Sequence, residues 1–302
     1  MLSPKGPKLS CAFLCLTLFL IGNRTASGSE NRATASSDGT QKAANRFAFE
    51  GLKTQHKQLL YHVIQMAELG LVKIDSEIHD YTCKLIRRER IGNQLGGYEH
   101  LDLKLRHERR QNDKIVVPFS VYAHFQKSPR FQGREVLYVA GRHQGDLIVK
   151  RGGPRLGGIT LQLNPQGKLA LSHNRYPITD IGIRNLVMKT LAVLQEEIAY
   201  DDCQVRMLKD SKLNGASCTQ IELTHPTQRD HFRYHRAKVL IDDKLQIPIY
   251  FASYSWPQAT DEEPLLLEEY AYLNVRLNVG LSEDDFQQSN PAYGFSKKSA
   301  ER

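Results

Sequence analysis

Candidates for acid–base chemistry include the adjacent carboxylates Asp201-Asp202, Asp242-Asp243, Glu268-Glu269 and Asp284-Asp285. Glycosidic hydrolysis needs two carboxyls facing each other across the sugar, whereas neighbours on a strand point to opposite faces. Each doublet is therefore most simply a cap, a turn or a surface pair. Glu268 and Glu269, beside Tyr270 and Tyr272, are the ones that could build a polar site on a sheet. His107-Glu108-Arg109-Arg110-Gln111 nearly spells the zinc-protease helix, but Gln111 stands where the second His is needed and the preceding alternation reads as a strand. His231 and His235 fall about 13 Å apart along a strand, too far to share a metal without other ligands. Gly152-Gly153-Pro154-Arg155-Leu156-Gly157 has phosphate-loop spacing, yet Gly158-Ile159 replaces the Lys and hydroxyl pair and a strand follows where a helix is required. There is no Gly-x-Ser-x-Gly elbow. The sequence thus predicts no catalytic residue, metal or cofactor, and leaves enzymatic activity open.

Residues 1–28 have the form of a secretory signal: Lys5 and Lys8, an apolar run Cys11–Gly22, then Ala26-Ser27-Gly28. The expected location is the periplasm or cell envelope, reached across the inner membrane. No later stretch approaches the roughly twenty apolar residues of a spanning helix, so an integral membrane protein is not expected. Three cysteines follow the signal. In an oxidising compartment they suggest one disulfide and one free thiol. Cys203 with Cys218, flanking a turn-rich segment that ends in Asn214-Gly215, is the preferred pair, and Cys83 with Cys218 the alternative.

Removing Lys5, Lys8 and Arg24 with the signal leaves 38 basic side chains against 33 acidic ones. The excess is local, with twelve Lys/Arg against five Asp/Glu between Lys84 and Arg134. A basic face on one sheet is implied, carrying Arg87, Arg88, Arg106, Arg109 and Arg110. Outside the cytoplasm such a face suits an anionic head group, an acidic glycan or an acidic partner better than nucleic acid.

Positioning these groups falls to a recognisable order of elements. Residues 29–46, Ser/Thr/Ala/Asn-rich and aperiodic, read as a flexible linker. One domain is expected over 47–302, ending in a short disordered tail. Leu59, Leu60, Val63, Ile64 and Ala67 predict a helix over 52–69, ended near Gly70. A second helix carries Ile183, Val187, Leu191, Leu194 and Ile198 on one stripe, capped by Thr179 or Asp180. Elsewhere the period is two: Leu101, Leu103 and Leu105 alternate with polar residues, as do Phe119, Val121, Ala123 and Phe125. About eleven strands are expected, one of them at Lys168–Ser172. The fold class is α+β: a large curved antiparallel sheet, an incomplete barrel, with two main helices over its concave face.

Several strings are more specific: Phe119-Ser120-Val121-Tyr122, Arg175-Tyr176-Pro177-Ile178-Thr179-Asp180-Ile181-Gly182, Leu267-Glu268-Glu269-Tyr270 and Asn278-Val279-Gly280-Leu281, leading to Asp285-Phe286 and Asn290-Pro291. On these the sequence resembles a family of bacterial secreted proteins known as domain of unknown function 1571, from about residue 50 to Phe295. That family's order of elements is similar in outline to the lipoprotein-carrier (LolA/LolB-like) fold, and no catalytic residue carries over from it. The combined expectation is a non-catalytic envelope protein binding a lipid, acyl chain or lipoprotein in its curved sheet. The cavity would be lined by Leu101, Leu103, Leu105, Phe119, Val121, Ala123 and Phe125, with Leu191 and Leu194 on the covering helix. The alternatives are an envelope hydrolase or transferase using Glu268 and Glu269, and a structural scaffold holding a partner on its basic face.

Overall fold

The computed structural model describes residues 37–153, 158–200, 202–259 and 262–295, with side chains from Glu50 onward. The expected signal over residues 1–28, the expected tail beyond Phe295 and residues 154–157 of the glycine-rich loop lie outside the described residues. The first element, α1 (Ser37–Glu77), is longer at both ends than the periodicity predicts. Gln41-Lys42-Ala43-Ala44 are strong helix formers, so residues assigned to a linker are helical here. Gly70 costs a helix interior only about 1 kcal/mol, and the chain runs through it. Leu60, Val63, Ile64 and Ile74 are buried along one stripe.

The strands follow in chain order: β1 (Asp80–Ile91), β2 (Gln94–Leu95), β3 (Glu99–Arg106), β4 (Arg109–Gln111), β5 (Lys114–Val117), β6 (Ser120–Lys127), β7 (Glu135–Val139), β8 (Leu147–Lys150) and β9 (Thr160–Leu163). Helices α2 (Lys168–Leu171) and α3 (Ile183–Glu197) intervene before β10 (Gln204–Leu213), β11 (Ala216–Thr224), β12 (Arg236–Asp242), β13 (Pro248–Tyr254) and β14 (Leu266–Leu277). The main sheet has twelve strands, all antiparallel to their neighbours, in the order β10-β11-β12-β13-β14-β1-β3-β6-β7-β8-β9, with β2 on β1. It is not closed into a barrel, because β10 and β9 end the path without pairing. The described residues from Arg46 onward form one compact unit.

Because side chains alternate and register is fixed, one face can be followed across the sheet. On one side Cys83, Leu103, Ala123, Val136, Val149 and Leu161 oppose one another in sequence. On the other, Arg87, Tyr270, Phe251, Val239, Ile221 and Met207 do the same. Simple two-residue alternation does not run the length of β14. A bulge opposite Cys83, with Asn274 at φ 54°, turns Tyr270 and Tyr272 inward before it and Val275 and Leu277 inward after it.

Two local expectations change. Lys168–Leu171 is a short helix rather than a strand, since Lys-Leu-Ala-Leu after the Asn164–Gly167 turn has good helix formers and no strand beside it to pair with. Neither Thr179 nor Asp180 caps α3, whose N-cap is Gly182 at φ 109°. Asp180 belongs to a preceding 3-10 turn and pairs with Lys189. The Gly182 backbone is pressed onto the sheet: a Cβ there would lie 2.5 Å from Leu105 Cδ1 and 3.0 Å from the Tyr81 hydroxyl. That hydroxyl in turn accepts from the Ile183 N–H at 3.0 Å. Gly182→Ala therefore combines backbone strain with overpacking, and an equilibrium urea titration should show a loss of about 2 kcal/mol.

Candidate functional site

Between the inward face and the segment running from α2 to α3 lies a cavity of about 640 Å³. Leu85, Leu101, Ala123, Phe125, Val136 and Val149 form much of its floor, while Leu169, Ile178, Ile181, Leu186 and Val193 come from the roof. Of the residues expected to line it, Leu101, Ala123 and Phe125 do. Leu103, Leu105 and Val121 share their face but are sealed in the core, where Gly182 lies over Leu105. Phe119 precedes β6 and packs near Tyr138. Leu191 and Leu194 belong to a separate cluster with Leu60, Val63 and Ile64 of α1, so α1 has covered the half of the helix stripe that the sequence reading assigned to the cavity.

The basic face also divides. Alternation sends Arg87 inward, while Arg88 goes outward over Tyr98. Arg106 is buried on the outer side of the sheet, bonded to Ser120 and Glu283 beneath Phe286. Arg109 and Arg110 are exposed on the separate β4–β5 hairpin. Cys203 and Cys218 form no disulfide, and all three described cysteines are free and buried. Cys218 opposes Ser211, whereas Cys203 precedes Gln204, which opposes Thr224. The two thiols lie at opposite ends of the hairpin, about 20 Å apart at strand rise, and Asn214-Gly215 makes the turn without their help.

One end of the cavity is polar. Arg87 reaches Glu99 and Asn174 at 2.8 and 2.7 Å, and lies 3.6 Å from Glu89. The Tyr270 hydroxyl is 2.6 Å from Glu89 and 3.3 Å from Glu268. Glu268 also accepts from Ser253 and Tyr176 and pairs with Arg175 at 3.4 Å. Glu269, its sequence neighbour, faces the other way and accepts from Tyr98 and Tyr250. The expected polar site therefore exists, but with Glu89 in place of Glu269. Glu89 comes from β1 and the adjacent Arg175 and Tyr176 from the segment before α3, two stretches that no local spacing links. Burial raises the Glu268 carboxyl above its ordinary value, with the Arg175 charge opposing.

Arg134 is different from its neighbours. Its guanidinium lies 3.7 Å over the Phe131 ring, its Nε is buried without a hydrogen-bond partner, and among the described residues no carboxylate is within ion-pair distance. Burial lowers it to about 10, against the pull of Glu99 and with Arg151 and Arg87 adding repulsion. The cavity thus combines an apolar body with an arginine that has no ion-pair partner among the described residues.

A family model described as protein of unknown function, DUF1571, matches residues 78–295. The chain belongs to this family. No curated protein matches the sequence significantly. Among solved structures the chain is similar to a DUF1329 family protein from Desulfovibrio piger, at 13% identity and TM-score 0.34 over 76% of this chain and 97% of that one. It is similar also to a putative outer membrane lipoprotein-sorting protein domain from Vibrio parahaemolyticus, at 14% identity and TM-score 0.34 over 74% and 96%. MucB gives 15% identity and TM-score 0.42 over 73% of this chain and 61% of that one.

Because Glu268 is raised in the folded state, the native chain holds this proton more tightly than the unfolded one. Its contribution to stability is full below the unfolded value near 4.5 and is lost as pH rises through the folded value. In Glu268→Gln that decline is absent. Urea midpoints should shift in favour of the variant, relative to the unmutated chain, between pH 4.5 and about pH 7, and a shift of opposite sign would refute the assignment.

Proposed function

We propose that this is a non-catalytic cell-envelope protein that holds an amphipathic ligand, a lipid, acyl chain or lipoprotein tail, in the cavity between sheet and α3. The observation that carries this reading is the pairing of an apolar cavity with the unpartnered Arg134. A volume of about 640 Å³ would take about twenty waters, yet most of its walls offer them no hydrogen bond. Each methylene transferred there from water gains about 0.8 kcal/mol. Arg134 supplies the other half, since it lines the cavity and a carboxylate or phosphate would give its guanidinium the counter-charge it lacks among the described residues. The secretory form of residues 1–28 supports an envelope location.

A hydrolytic reading is less well supported. Glu268 and Glu269 lie on opposite faces, and the inward pair, Glu89 and Glu268, is already engaged by Arg87, Arg175, Tyr270, Tyr176 and Ser253. The described helices include none long and apolar enough to cross a membrane.

Native mass spectrometry of chain purified without detergent should show added lipid mass. After delipidation the chain should bind both palmitate and hexadecanol. Arg134→Met should weaken palmitate by about tenfold, the scale of one charge-assisted hydrogen bond, and leave hexadecanol nearly unchanged. Ala123→Trp, filling the floor, should weaken both. Folded, delipidated chain that binds neither probe would overturn the proposal.

A further inference from the structure

Away from the cavity, three buried side chains converge at the far end of α3. Glu197 is in its last turn, Cys203 just precedes β10 and His225 just follows β11, and one ligand atom from each lies within 4.8 Å of the others. We infer that Glu197, Cys203 and His225 form a zinc site that ties the C-terminal end of α3 to the edge of the sheet.

Two polar atoms are placed to bind a cation. His225 Nε2 and Glu197 Oε1 are both buried with no hydrogen-bond partner, in side chains that are 0% and 5% exposed. The His225 Nδ1 lies 3.0 Å from the Tyr234 carbonyl, so Nδ1 carries the proton and donates. In the neutral ring this leaves the Nε2 lone pair directed toward Glu197 Oε2, 3.4 Å away. A backbone carbonyl fixing the remote nitrogen is the usual support of a metal-bound imidazole. Phe232 stacks on the ring at 3.9 Å, and the Tyr234 hydroxyl holds Glu197 Oε2 at 3.2 Å, so ring and carboxylate are both oriented.

The donor set selects the ion. Thiolate, imidazole and carboxylate together suit zinc rather than calcium or magnesium. Around a tetrahedral zinc with bonds of about 2.0–2.3 Å the donor atoms stand about 3.5 Å apart, so side-chain shifts of about 1 to 1.5 Å would close the set. Cys203 is a buried free thiol beside Glu197, and a thiol in such surroundings is protonated when no metal holds it. On binding, zinc displaces that proton to solvent, and the resulting thiolate and the Glu197 carboxylate together cancel the ion's two charges. Water would take the fourth position. An ion beside the C-terminal end of a helix is also favoured by the helix dipole.

The full chain, as purified, should carry one zinc per chain by elemental mass spectrometry. Stripped with chelator and reloaded with cobalt(II), it should show the near-ultraviolet thiolate-to-cobalt charge-transfer band. Cys203→Ser should lose that band, whereas Cys83→Ser and Cys218→Ser keep it, and Glu197→Gln should weaken zinc about tenfold or more. The unmutated chain offers a second readout: the sole tryptophan, Trp256, donates its ring N–H to the His225 carbonyl at 3.1 Å, so cobalt should quench its fluorescence. Stripped chain that is folded by circular dichroism yet takes up neither zinc nor cobalt would overturn the inference. So would a charge-transfer band that survives in Cys203→Ser.

Discussion

A sheet this wide has more inward face than its helices can cover. Eleven strands in one path, spaced about 4.8 Å apart, span nearly 50 Å of arc, whereas a packed helix shields a strip about 10 Å across. Curling shortens the deficit without closing it. α1 and the far half of α3 pack over β10 to β12, where the second core cluster lies and the space left beneath them is about 60 Å³. Over β3, β6, β7 and β8 the cover is α2 and an irregular segment up to Gly182. Short elements with few apolar side chains cannot fill that span, and the cavity is what remains. Its apolar lining is thus a consequence of the alternation that made the strands.

The charged end of the cavity follows from the same constraint. β1 and β14 are central, so polar residues on their inward face cannot reach water by fraying. Arg87, Glu89 and Glu268 are therefore held by one another and by Arg175, Tyr176, Tyr270 and Ser253. Removing one member of such a network strands its partner, which costs more than the net worth of the pair. This ties the loop at Arg175 and Tyr176 to the sheet floor. Arg134 stands outside the arrangement: it is half-buried, has no ion-pair partner among the described residues, and rests instead on the Phe131 ring.

Much of the architecture was legible because it rests on local periodicity. The two-residue alternation around Leu103 and Ala123 and the helical stripe from Ile183 to Leu194 each locate an element and its buried face. Asn214-Gly215 marks a hairpin by its tolerance of positive φ, at 48° and 86°. Errors arose where a non-local term decided. Lys168–Leu171 lacks a pairing strand, Gly182 is chosen by contact with Leu105, and the bulge at Asn274 reverses the faces of β14. The cavity was half legible: the correct strands were identified, but which of their leucines the roof would seal depends on where Gly182 and α1 land. Cys203 and Cys218 show the limit of reading spacing alone, since fifteen residues of separation put them at opposite ends of a hairpin rather than side by side.

α3 connects these parts. Its first turn is docked by Tyr81 and Gly182, its middle contributes Leu186 and Val193 to the cavity roof, and Leu191 and Leu194 lock it against α1. Its last turn ends at Glu197, beside Cys203 and His225. A helix fixed at both ends and open along one side in the middle can support a roof without filling the space beneath it. Were either end loose, the apolar floor would draw α3 inward, because every methylene it could bury is worth about 0.8 kcal/mol. Holding a cavity of this size open therefore requires anchors outside the cavity, and the two ends of α3 are where the structure places them.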